Sequence, residues 1–149
     1  MNKVVILGGG RLPFQPSGTI YKSLSNFDLA KEAILGCLRQ TSIEPNKIDH
    51  VFMGNVIQEV STSNVAREAS LQAGVPKDVP ATTIAQACIS SSQCVSIGMD
   101  KIKTGESKLV LAGGVETFSD VPIRYPRKMR KWLIDFPKES KKGKLNLYF

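Results

Sequence analysis

The sequence predicts an α/β protein: a mainly parallel sheet with helices on both faces, in the order βαβαβαβ. Three observations lead there. Four short apolar runs, 4–7, 51–57, 82–87 and 109–112, have the length and β-branched content of strands. Segments with apolar residues at helical spacing separate them. Helical connections between strands act as crossovers, and crossovers give parallel sheets covered on both sides. At 149 residues the chain suits one domain with a substantial core.

The first run, Val4-Val5-Ile6-Leu7, is continuously apolar, as in a strand buried on both faces. Gly8-Gly9-Gly10 follows. A dinucleotide fingerprint needs G-x-G-x-x-G opening a helix. Pro13 favours a tight turn and then a loop, with Pro16, Ser17 and Gly18 as punctuation. Ser25-x-x-Asp28 has the form of a capping box. Leu29, Ala30, Ala33, Ile34, Cys37 and Leu38 recur at helical spacing. They predict a helix of about three turns with Cys37 on its core face.

The second strand takes in Val51, Phe52, Met53, Val56 and Ile57, with a break or bulge at Gly54. His50 stands at its entrance beside Asp49 and reads as an exposed or satisfied side chain rather than a base. Ser61-Thr62-Ser63-Asn64 offers N-caps. Val65, Ala66, Ala69 and Ala73 then form a narrow stripe of small residues ending at Gly74 and Pro76. So small a face lets another backbone come close, either beside the third strand or at a subunit contact. Asn64 and Arg67, one turn apart, are polar partners of that contact or ordinary surface.

The third strand opens on Thr82 and closes on Ala87. From Ile89 the residues Val95, Ile97, Met99 and Ile102 suit a helix packed on several sides and ending at Gly105. Cys88 falls at the joint. A sulfur there faces unpaired backbone N–H groups and the positive end of the helix macrodipole, which favour the thiolate. That setting fits an acyl-accepting nucleophile; the other reading is a small buried hydrophobe. Leu109-Val110-Leu111-Ala112 is the fourth strand, followed by Gly113-Gly114 and Glu116. Ligands meet such sheets at the carboxyl ends of the strands. Gly8 to Gly10, Gly54-Asn55, Cys88 and residues 113–116 all fall on that edge.

Composition narrows the function classes. Three cysteines without framework spacing point to a reducing compartment, and a single histidine rules out a zinc cluster. No apolar run reaches the ~20 residues of a membrane span. The first apolar run is too short for a signal peptide, so the chain reads as cytosolic or as lacking a targeting segment. Residues 1–120 carry 11 basic against 11 acidic side chains; residues 121–149 carry nine against two, which accounts for the net +7. The expected division is therefore a neutral α/β domain over 1–120 and a basic appendage over 121–149. Pro122, Pro126 and Pro137 interrupt the appendage, and Trp132, Leu133, Ile134 and Phe136 form a short apolar knot in it. The chain ends Leu147-Tyr148-Phe149 and reads as cut off. Nothing in it marks a nucleic-acid partner.

Gln86-Ala87-Cys88-Ile89-Ser90-Ser91 resembles the acyl-accepting segment of the thiolases, which cleave or form β-ketoacyl-coenzyme A. Arg11-Leu12-Pro13-Phe14 resembles the family's R-T-P-F opening, with Leu12 for Thr. Gly54-Asn55-Val56, Asn64-x-Ala66-Arg67, Pro80-Ala81-x-Thr83 and Gly113-Gly114-Val115-Glu116 follow in the family's order. Val56-Ile57-Gln58-Glu59-Val60 and Ser119-Asp120-Val121-Pro122-Ile123-Arg124 are similar to the branch formed by β-subunits of mitochondrial trifunctional proteins.

The resemblance implies a thiolase N-terminal half, incomplete, with residues 121–149 as the start of an inserted loop domain. It implies 3-ketoacyl-CoA thiolase (acetyl-CoA C-acyltransferase) activity in fatty acid β-oxidation. Cys88 is then the nucleophile that carries the acyl thioester, with its backbone N–H a partial oxyanion donor. Coenzyme A is a co-substrate, with no bound cofactor or metal. Further implications are a homodimer through the strand from Thr82 to Ala87, a hydratase/dehydrogenase α-subunit as partner, a mitochondrial location, and a basic tail suited to an anionic membrane surface. The family's base, second Cys and main oxyanion donors lie in the second half, and His50 matches neither family histidine. The chain alone is therefore expected to be inactive. The alternatives are an inactive dimerisation or partner-docking module, and a decarboxylating ketoacyl synthase, against which Arg11 to Phe14 and Asn64 to Arg67 argue.

Overall fold

The computed structural model describes residues 3–140. Three strands, β1 (His50–Gly54), β2 (Ala81–Ile84) and β3 (Val110–Gly114), form a parallel sheet in the order β2-β1-β3. Helices α1 (Asn26–Thr41), α2 (Val65–Gln72) and α3 (Ser90–Thr104) connect or precede them, and α4 (Arg127–Ser140) follows β3. The α/β class and the helices on both faces are as the sequence predicts.

α1 starts where the capping box places it. The Ser25 hydroxyl accepts from the Asp28 N–H at 3.2 Å, and the Asp28 carboxylate accepts from the Ser25 N–H at 3.1 Å. Its stripe of Ala30, Ile34 and Leu38 meets Val65, Ala66 and Ala69 of α2 and its C-cap Ala73 over Val51 and Met53 of β1, and together they form the core. Cys37 is half-buried beside that stripe. Side chains alternate across a strand, so His50 and Phe52 face the other layer, where α3 lies.

α3 reaches the sheet by a seam of small residues. Ser90, Cys94 and Gly98, four apart, are its buried positions. A Cβ on Gly98 would stand 2.9 Å from Val110 Cγ1 and 3.9 Å from Ala112 Cβ. Ile89, Val95 and Met99 lie on the open flank, 60%, 42% and 38% exposed, so α3 is not packed on several sides. Burial raises the Cys94 thiol above its ordinary range.

Three other expectations are corrected. Residues 4–7 form no strand; Val5, Ile6 and Leu7 are exposed. A strand needs a ladder partner; β1 is paired on both sides, and residues 4–7 pair with neither outer edge of the sheet, at β2 or at β3. The order among the described residues is therefore αβαβαβα rather than βαβαβαβ. β1 ends at Gly54 with no bulge, and Val56 and Ile57 turn away from the sheet. The basic appendage, read as interrupted at Pro122, Pro126 and Pro137, is helical over Arg127–Ser140. Pro126 precedes the helix and its carbonyl accepts the Arg130 N–H at 3.0 Å, while Pro137 falls in the last turn. Lys141, Lys142, Lys144 and the Leu147-Tyr148-Phe149 end lie outside the described residues.

Candidate active site

The carboxyl ends of the strands are level. Gly54 of β1 pairs in register with Ile84 of β2 and Gly114 of β3. Both glycines are required by close approach. A Cβ on Gly54 would lie 2.5 Å from the Ser91 N and 2.6 Å from the Ser90 carbonyl carbon, and one on Gly114 would lie 2.6 Å from Ser91 Cβ. The first turn of α3 therefore sits directly on the strand ends, which places the β2–α3 joint on the expected edge.

Cys88 occupies that joint and is exposed. Strand pairing of β2 stops at Ile84, three residues earlier than Ala87. The chain then makes a tight turn. The Ile89 N–H donates to the Gln86 carbonyl at 3.3 Å and the Ser90 N–H to the Ala87 carbonyl at 3.2 Å. Ala87 has φ +48°, in the left-handed region. The buried Ser90 hydroxyl accepts from the Gln86 N–H at 2.8 Å and donates to the Ala87 carbonyl at 2.7 Å.

Two residues past the end of β3, Glu116 forms a second fixed group. Its carboxylate accepts from the Asn55 side-chain amide at 3.1 Å, the Val56 N–H at 2.9 Å and the Ile57 N–H at 3.2 Å. Asn55, buried, also donates to the Val115 carbonyl, and the Val115 N–H donates to the Gly54 carbonyl. These bonds hold the β1 and β3 exits together. Next to them lies a cleft of about 380 Å³, lined among others by Arg11, Phe14, Tyr21, Leu29, Glu116 and Phe118. The Arg11 guanidinium stacks 4.1 Å over the Phe14 ring. Gly10 lines this cleft. Gly8, in contrast, passes the end of α1, where a Cβ would meet Thr41 at 2.6 Å.

His50 is at the opposite edge. It opens β1, stacks on Phe52 with centroids 4.0 Å apart, and its Nε2 lies 3.3 Å from Thr82 Oγ1. Burial, then the Lys101 charge, lower its pKa, with Glu106 opposing. A ring at the amino ends of the strands cannot serve as base for a group past their carboxyl ends.

Asn64 and Arg67 make their contacts inside the chain. Asn64 caps α2 by accepting from the Arg67 N–H, accepts from Thr83 Oγ1 at 2.7 Å and donates to the Ala81 carbonyl. The Arg67 guanidinium donates to the carbonyls of Val79 at 2.7 Å and Lys77 at 2.5 Å. Together they pin α2 to β2 just before the Cys88 turn. The roles of Ser90 and Asn55 were not readable from the sequence; their only signal was a small polar residue beside a strand end, which many turns share.

The family model for the thiolase N-terminal domain matches residues 4–146. The chain belongs to the thiolase family. It is 48% identical over 143 residues to the mitochondrial trifunctional enzyme subunit beta of Homo sapiens, covering 96% of this chain and 30% of that protein. It is 46% identical over 138 residues to a probable 3-ketoacyl-CoA thiolase of Caenorhabditis elegans, covering 93% of this chain and 31% of the relative. Among solved structures, the thiolase Acat5 of Ascaris suum in complex with coenzyme A superposes with a TM-score of 0.78 at 28% identity, over 81% of this chain and 32% of that one. The acetyl-CoA acetyltransferase of Bacillus anthracis gives 0.71 at 31% identity, over 80% of this chain and 29% of that one. The chain thus spans under a third of the thiolases it matches.

Proposed function

We propose that this chain is the nucleophile-bearing N-terminal part of a 3-ketoacyl-CoA thiolase (acetyl-CoA C-acyltransferase) acting in fatty acid β-oxidation. The observation that carries the proposal is the exposed Cys88 sulfur, held at the end of β2 on the strand-end edge that also bears Asn55 and Glu116. In this reading the Cys88 thiolate adds to the 3-keto carbonyl of a 3-ketoacyl-CoA. The bond between C2 and C3 breaks, C2 takes up a proton, and acetyl-CoA leaves while the shortened acyl group remains as a Cys88 thioester. The thiol of a second coenzyme A then attacks the thioester, and the acyl-CoA product leaves as the Cys88 sulfur is released. One sulfur thereby divides a carbon–carbon cleavage into two easier steps. The Cys88 backbone N–H contributes part of the oxyanion stabilisation.

Coenzyme A and acyl-CoA are the small-molecule partners, by analogy with the Ascaris suum thiolase. β2 is an edge strand whose second side is unpaired in the sheet, which supports a homodimer formed through the strand from Thr82 to Ala87. Likeness to trifunctional enzyme β-subunits supports a hydratase/dehydrogenase α-subunit as partner and a mitochondrial location. In that setting the basic residues of 121–149, read as the opening of a loop domain, meet an anionic membrane surface.

The 149-residue chain is expected to show no turnover, because in this reading the family's base and main oxyanion donors belong to the part of a thiolase that this chain does not span. Release of acetyl-CoA from a 3-ketoacyl-CoA and coenzyme A by the purified chain would overturn that expectation. A Cys88→Ala exchange in a thiolase carrying the rest of the family's length should abolish the acyl-enzyme detected by mass spectrometry; persistence of that adduct would refute the nucleophile assignment. The exposed Ile89, Val95 and Met99 flank of α3 supports the second reading, an inactive dimerisation or docking module. Size-exclusion and pull-down against a full-length subunit separate the two.

A further inference from the structure

We infer that Ser90 is a positioning residue for the Cys88 sulfur, an inference that rests on the reading of Cys88 as the acyl acceptor. The Ser90 side chain is buried, 5% exposed, and its single hydroxyl bridges the two residues that precede Cys88. It takes the Gln86 N–H at 2.8 Å and gives its own proton to the Ala87 carbonyl at 2.7 Å. Only a group that both accepts and donates can do this, and serine is the smallest that can.

The turn needs such a bridge. Ala87 stands at φ +48°, a conformation that is unfavourable for a residue with a Cβ and persists only where its surroundings enforce it. Without the hydroxyl the Gln86 N–H loses its acceptor. Ser90 itself is immobilised from the far side: Gly54 leaves no room between β1 and the backbone of Ser90 and Ser91, and Gly114 leaves none at Ser91 Cβ. The sheet fixes Ser90, Ser90 fixes Gln86 and Ala87, and Cys88 is the next residue. Its exposed sulfur thus gains a defined place through the backbone turn that Ser90 holds.

Hydrogen exchange and alkylation test this in the whole chain. In the wild type the Gln86 amide should be protected. In Ser90→Ala it should exchange at least about tenfold faster, the loss expected for one buried hydrogen bond. Cys88 alkylation by iodoacetamide at fixed pH should fall about three- to fivefold, because the sulfur no longer rests at the start of α3. Ser90→Thr retains the hydroxyl and should return both values to within about twofold of wild type. An unprotected Gln86 amide in the wild type, or an unchanged Cys88 rate in a folded Ser90→Ala, would overturn the inference. If Ser90→Ala does not fold, Ser90→Thr decides: protection kept together with the Cys88 rate supports the inference, and protection kept with a fallen rate overturns it. The parent reading fails separately, when wild-type Cys88 alkylates no faster than in the urea-unfolded chain; the Gln86 amide still reports on the Ser90 bridge.

Discussion

At Gly54 the absence of a side chain decides where α3 begins. A methyl group there would overlap the Ser91 N and the Ser90 carbonyl carbon, both backbone atoms that cannot rotate away. Gly54→Ala is therefore expected to destabilise the fold by about 1–3 kcal/mol, read as a lower urea midpoint, and to change Cys88 alkylation in the same protein. Two carboxylates act at this scale through pH. The Ser25 N–H and hydroxyl hold Asp28 below the usual carboxylate range, and the N–H groups of Leu109 and Lys108 do the same for Asp49. Both groups are more acidic folded than unfolded, so the unfolded chain binds protons first as pH falls. Their contribution is complete above the ordinary carboxylate pKa of about 4 and is lost as pH drops through the folded values. Thermal unfolding between pH 7 and pH 3 should show Asp28→Asn and Asp49→Asn less stable than wild type at pH 7 and converging on it at the acid end.

At the scale of elements, α2 is a clamp. Its cap, Asn64, bonds to Thr83 and Ala81 of β2, and Arg67 in its first turn closes on the 77–79 loop. Removing the cap leaves both the Arg67 N–H and the Thr83 hydroxyl without the Asn64 oxygen. Asn64→Ala should cost about 1–2 kcal/mol and should loosen β2 first, seen as faster amide exchange at residues 81–84 than in β3. Equal loosening of β2 and β3 would refute the clamp.

For the molecule as a whole, the proposed division into a neutral body and a basic appendage carries its own prediction. Met129, Trp132 and Leu133 of α4 lie at helical spacing yet are 44%, 43% and 41% exposed, and Trp132 packs its ring at 5.0 Å on Phe136 of the same helix. The described side chains of α4, residues 127–136, bury little, and the helix is expected to contribute little to the stability of the body. Ending the chain after Pro126 should therefore leave the midpoint of thermal unfolding within about 2 °C of wild type. A larger drop would mean that α4 belongs to the core.

Local signals determined much of this protein from its sequence. The capping box at Ser25 and Asp28, the apolar stripe of α1, the small stripe of α2 and the Gly105 stop are written within one or two turns of chain, so their elements could be read in order. Cys88 at a strand-to-helix joint was legible for the same reason. Tertiary structure decided the rest. Residues 4–7 have strand composition, but a strand exists only where a ladder forms, and this segment joins none of the three strands. The glycines at 54 and 114 and the hydroxyl of Ser90 acquire meaning only when residues 36 and 23 positions apart are pressed together. His50 reads from sequence as a satisfied side chain rather than a base, and its place at the amino edge of the sheet supplies the reason.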